Sequence, residues 1–285
     1  MKPAVFMGCV LVLSLIACSD PSTDSKPDPR PPPIIRVPSQ ALTLQEALDM
    51  ASTGDTILIA PGTYRGEGNR DLSMPDKSIT LKSENGPATT IFDCGGSAFD
   101  NHFHLSFNST SSTIGIVGIT FRGAYAGHGA IRCRSAAPRF INCIFRNNEA
   151  TISGGALRCK AASPLLQNCT MVDNSSMSGA GLFLIAGSRP RLENCVISHS
   201  DRGEAIYVSE GSSVPSLECC NLYGNVGGDW IDHIESQAGV TGNLSADPLY
   251  CNRDLVGLRL QPDSPCAPDN NACGELIGAG PEGCQ

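Results

Sequence analysis

The sequence predicts an all-β fold, a parallel β-helix solenoid with about 26 residues in each coil. The first observation is a repeat, in which PRFINCIFRNN at Pro138 returns as PLLQNCTMVDN at Pro164, PRLENCVISHS at Pro190 and PSLECCNLYGN at Pro215. These prolines are 26, 26 and 25 residues apart. A fixed period of this length is typical of stacked structural units, so the repeat predicts a solenoid.

The second observation is a shift in the alternation of apolar and polar residues at one asparagine in three of the four units. Phe140 and Cys143 are both apolar, although strict alternation would place them on opposite faces of a strand. The shift indicates a corner, and asparagine tolerates the left-handed backbone that a corner needs. We therefore predict a corner and a ladder of mutually bonded side chains at Asn142, Asn168 and Asn194.

Further strands follow from the same alternation. After the corner, a ladder of cysteines should face inward, comprising Cys143, Cys169, Cys195 and Cys220. Disulfides within this ladder and buried free thiols are both compatible with the spacing of stacked strands. On this second strand, the residues between the inward positions should face outward. They are Ile144, Thr170, Val196 and Asn221. A third strand precedes each proline, and its predicted inward pairs are Ile131/Cys133, Leu157/Cys159, Phe183/Ile185 and Ile206/Val208.

Two other solenoids fit the sequence less well. A leucine-rich repeat has a similar period but needs a denser leucine frame than SGGALRCKAASP provides. The nonapeptides of calcium-binding β-helices are absent from the sequence.

A short helix is predicted before the first coil. Thr43 and Glu46 form a capping box, and Leu44, Leu48 and Ala51 lie on one helical face. Such a helix would cover the open end of the solenoid.

Several of these segments together resemble a known superfamily. They are EALDMASTGDTILIAPGTY, ITLKSENGPATTIFDCGG, the GGAL of residues 154–157 and the F-x-x-N of residues 145–148. The chain resembles the right-handed parallel β-helix proteins of the pectin-lyase-like superfamily, and among them bacterial surface proteins with repeats similar to chlamydial polymorphic membrane proteins. The resemblance covers about residues 40 to 250. It implies the right-handed fold but no single activity, because this fold carries many functions.

The N-terminal region has the features of an exported lipoprotein. An apolar run follows Met1 and Lys2, and Leu15-Ile16-Ala17-Cys18 resembles the lipobox of bacterial lipoproteins. The resemblance implies a lipid on Cys18, anchorage in a bilayer and delivery to the bacterial outer membrane or cell surface. We predict a signal peptide over residues 1–18, a Pro-rich tether over 19–38, the β-helix over 39–250 and a Cys-rich tail over 251–285.

Composition limits the remaining possibilities. A net charge of −8 argues against nucleic acid as a partner. Export permits disulfides, and we expect them to staple the tail, which has four candidate cysteines, Cys251, Cys266, Cys273 and Cys284. No C-x-x-C pair occurs, so no metal site is predicted.

The resemblance includes enzymes that cleave acidic polysaccharides, but their motifs are incomplete here. Gly127-His128-Gly129 matches a hydrolase triplet, without the acidic motifs that accompany it, and a histidine between glycines is typical of a turn. Glycoside hydrolysis needs two positioned carboxylates, and calcium-dependent lyases need an acidic cluster. We predict a non-catalytic protein without catalytic residues or cofactors. A polysaccharide lyase or glycoside hydrolase is the alternative, with calcium only for a lyase.

One surface feature predicts a ligand. Arg132 and Arg158 should stack at one outward position, with Arg134 and Lys160 equivalent two places on. Four stacked cations in an acidic protein are suited to the carboxylates of a polysaccharide. The alternative is a solvated face that discourages aggregation of sheets. We expect a monomer with a structural, adhesive or glycan-binding role.

Overall fold

The computed structural model describes Met1 and residues 33–109, 111–254, 257–280 and 282–284. Within these residues the chain forms one α-helix, α1 (Leu44–Met50), two 3₁₀ helices (Asp232–Gln237 and Pro268–Asn270) and 24 strands. The strands, in chain order, are β1 (Ile34–Val37), β2 (Thr56–Ile59), β3 (Gly62–Arg65), β4 (Leu72–Ser73), β5 (Thr80–Ser83), β6 (Thr90–Asp93), β7 (Leu105–Asn108), β8 (Gly115–Val117), β9 (Thr120–Arg122), β10 (Tyr125–His128), β11 (Ile131–Arg134), β12 (Arg139–Ile141), β13 (Ile144–Arg146), β14 (Glu149–Ser153), β15 (Leu157–Lys160), β16 (Leu165–Gln167), β17 (Thr170–Val172), β18 (Ser175–Ser176), β19 (Leu182–Ile185), β20 (Arg191–Glu193), β21 (Val196–Ser198), β22 (Ile206–Val208), β23 (Ser216–Glu218) and β24 (Asn221–Tyr223).

The strands form four parallel sheets. The first sheet has the order β1-β2-β5-β8-β12-β16-β20-β23, and the second has the order β3-β6-β9-β13-β17-β21-β24. The third sheet is β4-β7-β11-β15-β19-β22, and a short fourth sheet is β10-β14-β18. Neighbouring strands belong to successive coils, so each strand bonds to its equivalents above and below. The predicted parallel β-helix is confirmed.

The corner between the first and second sheets has the predicted backbone. Asn142, Asn168 and Asn194 have φ angles of 52°, 50° and 50°. Cys219, with φ of 53°, takes the same place in the next coil. A left-handed residue turns the chain sharply between two strands, and asparagine tolerates it better than most residues do.

The predicted ladder of side chains at these asparagines is wrong. Within the described residues, the side chains of Asn142, Asn168 and Asn194 do not bond to one another, and Asn168 Nδ2 donates to Leu276 O at 2.8 Å. The asparagine ladder lies instead at the next corner, where Asn148 Nδ2 donates to Asn174 Oδ1 at 3.1 Å. The corner asparagines are partly exposed and water can satisfy them, whereas the buried amides of Asn148 and Asn174 need protein partners.

The interior of the solenoid consists of stacked like residues. Phe92, Phe121 and Phe145 follow one another on the second sheet, with ring centroids 6.0 and 5.6 Å apart. The cysteine ladder is fully buried, and all four of its thiols, Cys143, Cys169, Cys195 and Cys220, are free. The Cys169 thiol donates to Phe140 O of the preceding coil at 3.4 Å. Of the two possibilities left open by the sequence, the structure therefore has buried thiols.

The predicted orientation of β19 is wrong by one residue. Arg158 pairs with Phe183 and Lys160 with Ile185, so Phe183 and Ile185 face outward, while Leu182 and Leu184 face inward. The cause is a shorter loop between the second and third sheets in this coil. Leu157 follows Asn148 by nine positions, but Leu182 follows Asn174 by eight.

A C-terminal segment covers part of the second sheet. Ile144 and Val172 point away from the interior, yet both are fully buried against Leu258 and Ala279. Val196 packs in the same way against Leu260, Cys266 and Ile277. The outward direction predicted for Ile144 and Val196 holds, but these side chains are not exposed to solvent.

Two disulfides fasten this segment. Cys251 bonds to Cys284 within it, and Cys273 bonds to Cys219 at the last corner of the solenoid. The prediction that Cys266 joins a disulfide is wrong, because its thiol is fully buried and accepts a hydrogen bond from Asn221 Nδ2 at 3.2 Å. Cys219 was not predicted to pair and takes its place, because its corner position faces the segment.

The N-terminal boundary also differs from the prediction. β1 lies within the predicted tether of residues 19–38, yet it pairs with β2 in the first sheet. The solenoid therefore begins by Ile34. The remainder of the tether up to residue 32 and the signal peptide after Met1, including Cys18, lie outside the described residues.

The capping helix forms as predicted. Thr43 Oγ1 accepts a hydrogen bond from Glu46 N at 3.2 Å, and Glu46 Oε2 accepts one from Leu42 N at 2.7 Å. Leu44 and Leu48 are buried, and α1 contacts β1. No helix among the described residues is long and apolar enough to cross a membrane.

Candidate functional site

The third sheet brings the four predicted cations together. Arg132 on β11 pairs in register with Arg158 on β15, and Arg134 pairs with Lys160. Adjacent strands of a sheet lie about 4.8 Å apart, so the charges form a compact group. We call Arg132, Arg134, Arg158 and Lys160 the cationic row.

Hydrogen bonds and aromatic rings hold the guanidinium groups of Arg132 and Arg158 in place. Arg132 Nε donates to His128 O at 2.7 Å, and its guanidinium carbon lies 3.9 Å from the centroid of the Phe103 ring. Arg158 Nε donates to Ser153 Oγ at 3.3 Å, and its guanidinium carbon lies 5.7 Å from the Phe183 centroid. Each group is thus fixed by a hydrogen bond at Nε and by an aromatic ring.

The cations of the row are free of carboxylate partners. In the part of the chain that the structure describes, none of the four has a carboxylate oxygen within 4.0 Å, and the terminal nitrogens of Arg132 and Arg158 make no hydrogen bond. By contrast, Arg65 and Arg122 on the second sheet both bind Asp93, at 2.8 and 3.0 Å. Unpaired, oriented guanidinium groups are suited to bidentate binding of an anion.

Burial and two neighbouring charges shift the pKa of Arg132. Burial is the main cause that lowers the pKa of this guanidinium, the positive Arg158 also lowers it, and the carboxylate of Asp71 raises it. Because arginine ordinarily titrates far above neutral pH, Arg132 stays charged under physiological conditions.

Aromatic side chains extend the row along the solenoid axis. Phe183 continues the position of Arg158, and its ring stacks on that of Tyr207 with centroids 5.6 Å apart. Sequence reasoning missed Phe183 because it placed this side chain inside the solenoid. Counting residues from the F-x-x-N asparagine, rather than from the proline, would have revealed the shift.

His128, between two glycines in the sequence, lies beside the row. His128 Nδ1 and Ser153 Oγ are 2.9 Å apart. Burial lowers the pKa of the His128 imidazole, and the positive charges of Arg158 and Arg132 lower it further. Gly129, with φ of 51°, follows at a tight turn where a Cβ atom would lie 2.7 Å from Ile131 O.

A cleft opens between α1 and the start of the third sheet. Its volume is about 780 Å³, and Arg70, Asp71 and His102 contribute to its wall. Asp71 Oδ2 lies within hydrogen-bonding distance of His102 Nδ1, and Asp71 Oδ1 accepts a hydrogen bond from Phe103 N at 2.9 Å. Phe103 in turn packs on Arg132, so the cleft adjoins one end of the cationic row.

Comparison with known proteins agrees with the observed coils. Residues 81–245 match the family model described as the right handed beta helix region, which covers more than half of the chain. A comparison with curated proteins finds no match.

Proposed function

Because the chain belongs to the right-handed beta-helix family, we propose that its rigid solenoid binds an acidic polysaccharide along the cationic row. The protein is an exported lipoprotein that uses this surface for adhesion or for holding a glycan. The observation that carries the proposal is a group of four cations without carboxylate partners on a chain whose net charge is −8.

The geometry of the row supports an anionic ligand. Binding costs less when the binding groups are already oriented, and Arg132 and Arg158 are held at Nε before any ligand arrives. Their terminal nitrogens remain available for carboxylate or sulfate oxygens. Charge-assisted hydrogen bonds of this kind contribute about 1.5–3 kcal/mol each.

The extent of the site supports a polymer. The row spans two coils, and Phe183 and Tyr207 continue it over the next two. Aromatic rings present an apolar face on which other flat or apolar surfaces pack, while the guanidinium groups take up charge. A linear chain lying along the solenoid axis, with anionic groups and apolar sugar faces, would contact both parts.

Membrane attachment forms a separate part of the proposal. A lipid on Cys18 anchors the protein in the bacterial outer membrane or at the cell surface as a monomer. The variant Cys18→Ser should move from the membrane fraction to the soluble exported fraction and should lose incorporation of labelled palmitate. If Cys18→Ser stayed in the membrane fraction without labelled palmitate, the lipid anchor on Cys18 would be contradicted. The proposal of glycan binding would be unaffected.

Loss of the cationic row is the direct test of glycan binding. Arg132→Ser combined with Arg158→Ser should weaken the affinity for immobilised polygalacturonate by at least about 100-fold, because two charge-assisted contacts are lost. The matched control is Arg139→Ser with Arg191→Ser, which removes two exposed arginines from the first sheet. Equal weakening in both pairs would show only a general effect of charge. Unchanged retention of the first pair would remove the proposal.

Cleavage is the second candidate, and one observation favours it. The cleft beside the row places Asp71 against His102, an arrangement in which a carboxylate orients an imidazole for proton transfer. Incubation with polygalacturonate separates the candidates. Shortened chains with unsaturated ends would identify a lyase, shortened chains with new reducing ends would identify a hydrolase, and intact chains support binding alone.

A further inference from the structure

His128 connects the two oriented guanidinium groups of the cationic row. Its carbonyl oxygen accepts from Arg132 Nε at 2.7 Å, and its ring faces Ser153 Oγ at 2.9 Å. Ser153 Oγ also accepts from Arg158 Nε at 3.3 Å. The binding proposed above uses the two arginines but gives His128 no role.

The contact between His128 Nδ1 and Ser153 Oγ is compatible with both the neutral and the protonated ring. When the ring is neutral and Nδ1 accepts, the Ser153 hydroxyl donates to it and keeps a lone pair for Arg158. When the ring is protonated, Nδ1 becomes a donor to Ser153 Oγ. Protonation of the ring adds a positive charge next to those of Arg132 and Arg158. The hydrogen bond from Arg132 Nε to the His128 carbonyl oxygen is kept.

We propose that His128 belongs to the anion site and that its protonation strengthens binding of the polyanion in mildly acidic surroundings. This inference rests on the proposed function, since it concerns the same row. It adds regulation by pH and a preference for densely charged ligands, whose oxygens can contact the imidazolium and both guanidinium groups together.

The surroundings of His128 set the direction of the effect. Burial lowers the pKa of the His128 imidazole most, and the charges of Arg158 and Arg132, on two strands of the third sheet, lower it further. These arginines are the charged groups that act on the ring among the described residues. A polyanion bound to the arginines would reduce their repulsion and raise the pKa. By linkage, protonation must then raise the affinity for the polyanion by the same factor.

The other described histidines that have close partners are placed differently. His102 contacts Asp71 and Asp100, and His104 is buried against Phe121. His199 packs against Tyr223 and Tyr250 near the C-terminal segment. None of these partners is Ser153 or a residue of the cationic row.

Binding of dextran sulfate at two pH values tests the inference, because sulfate esters stay ionised throughout and only the protein titrates. At constant ionic strength, we expect the natural protein to bind about tenfold more tightly at about pH 5 than at about pH 7.5. His128→Gln should lose this gain, whatever its affinity at the higher pH. His233→Gln, which removes an exposed histidine elsewhere, should keep the gain.

The outcomes separate the two proposals. Binding that gains equally in His128→Gln and in the natural protein would overturn the role of His128 and leave the cationic row intact. Absence of binding at both pH values would overturn both proposals.

A second measurement does not depend on affinity. The imidazole signals of His128, followed by NMR across the same pH range, should titrate at higher pH when dextran sulfate is added. They should also titrate at higher pH in free Arg132→Ser/Arg158→Ser, because the repulsion is gone. An unchanged His128 titration in that variant would contradict the inference.

Discussion

The outward faces of the second and third sheets have the same construction but different surroundings. On the second sheet, the outward residues Ile144, Val172 and Val196 are buried beneath the C-terminal segment. On the third sheet, Arg132 and Arg158 occupy equivalent outward positions and are half-buried, with the Phe103 ring against Arg132. The C-terminal segment closes one face, and the other keeps partly exposed arginines.

The difference shows how a solenoid assigns roles to its faces. Each coil adds one residue to every outward position, so the second sheet carries Ile144 and Val196 in one column with Thr170 and Asn221, and the third sheet carries the cationic row. The apolar members of the second sheet are stable only when they are covered. Charged side chains are stable in contact with water.

The largest expected effect tests the covered face. Cys273→Ser with Cys284→Ser removes both disulfides of the C-terminal segment, which close sequence separations of 54 and 33 residues. The free energy of unfolding should fall by about 2–4 kcal/mol for each disulfide, as measured by urea denaturation. Retention on polygalacturonate should persist, because the third sheet does not carry the disulfides. An unchanged urea midpoint would show that packing alone holds the segment.

The next effect concerns a buried histidine in the interior of the solenoid, rather than either outward face. His104 is buried, its ring lies edge-on to Phe121 with centroids 5.2 Å apart, and burial lowers the pKa of the imidazole to about 4. The unfolded chain binds this proton near pH 6.5, so stability is fully present above that value and is lost as pH falls towards 4. The expected contribution is about 3 kcal/mol.

Urea denaturation at about pH 7 and about pH 4 measures this loss. In His104→Leu, the difference between the two pH values should shrink by that amount, whereas in His128→Gln it should shrink by less, because His128 is only partly buried. An equal loss of stability in the natural protein and in His104→Leu would assign the acid sensitivity to other groups.

The smallest effect tests the open face. Phe183→Leu keeps an apolar side chain between Arg158 and Tyr207 but removes the ring. Affinity for polygalacturonate should fall by about fivefold, since an aromatic contact with a cation or a sugar is worth about 1 kcal/mol. The matched change on the closed face, Val172→Leu, should leave affinity unaltered. If Phe183→Leu binds as the natural protein does, the ligand ends at Arg158.

Most of the solenoid was predictable because its signals are local and repeated. The corners at Asn142, Asn168 and Asn194 follow from the shift in alternation, and the register of Arg132 with Arg158 follows from the 26-residue period. Repetition gives several independent observations of each position. Errors appeared where the period changes, as at Phe183, where one residue fewer in a loop turns the side chain to the other face.

The candidate site was predictable only in part. The four cations were found from their spacing, but the aromatic partners Phe103 and Phe183, and the links of His128 to Arg132 and Ser153, were not. Phe103 precedes β7 outside the regular pattern, and His128 ends β10, which belongs to the short sheet of only three strands among the described residues. Contacts made by such irregular segments depend on backbone paths that periodicity does not describe.

By itself, the sequence determined the class of the fold, most of the inward rows and the charge of the third-sheet face, because strand alternation and a fixed period translate directly into stacked positions. The inward row failed at β19, where Phe183 and Ile185 face outward. Only the tertiary structure decided that the C-terminal segment lies over the second sheet, that Cys219 rather than Cys266 pairs with Cys273, and which asparagines bond to one another. These outcomes join parts of the chain far apart in sequence or depend on burial. The physical reason is that apolar residues on the outside of a solenoid must be covered, and the pattern of those residues does not specify which segment covers them.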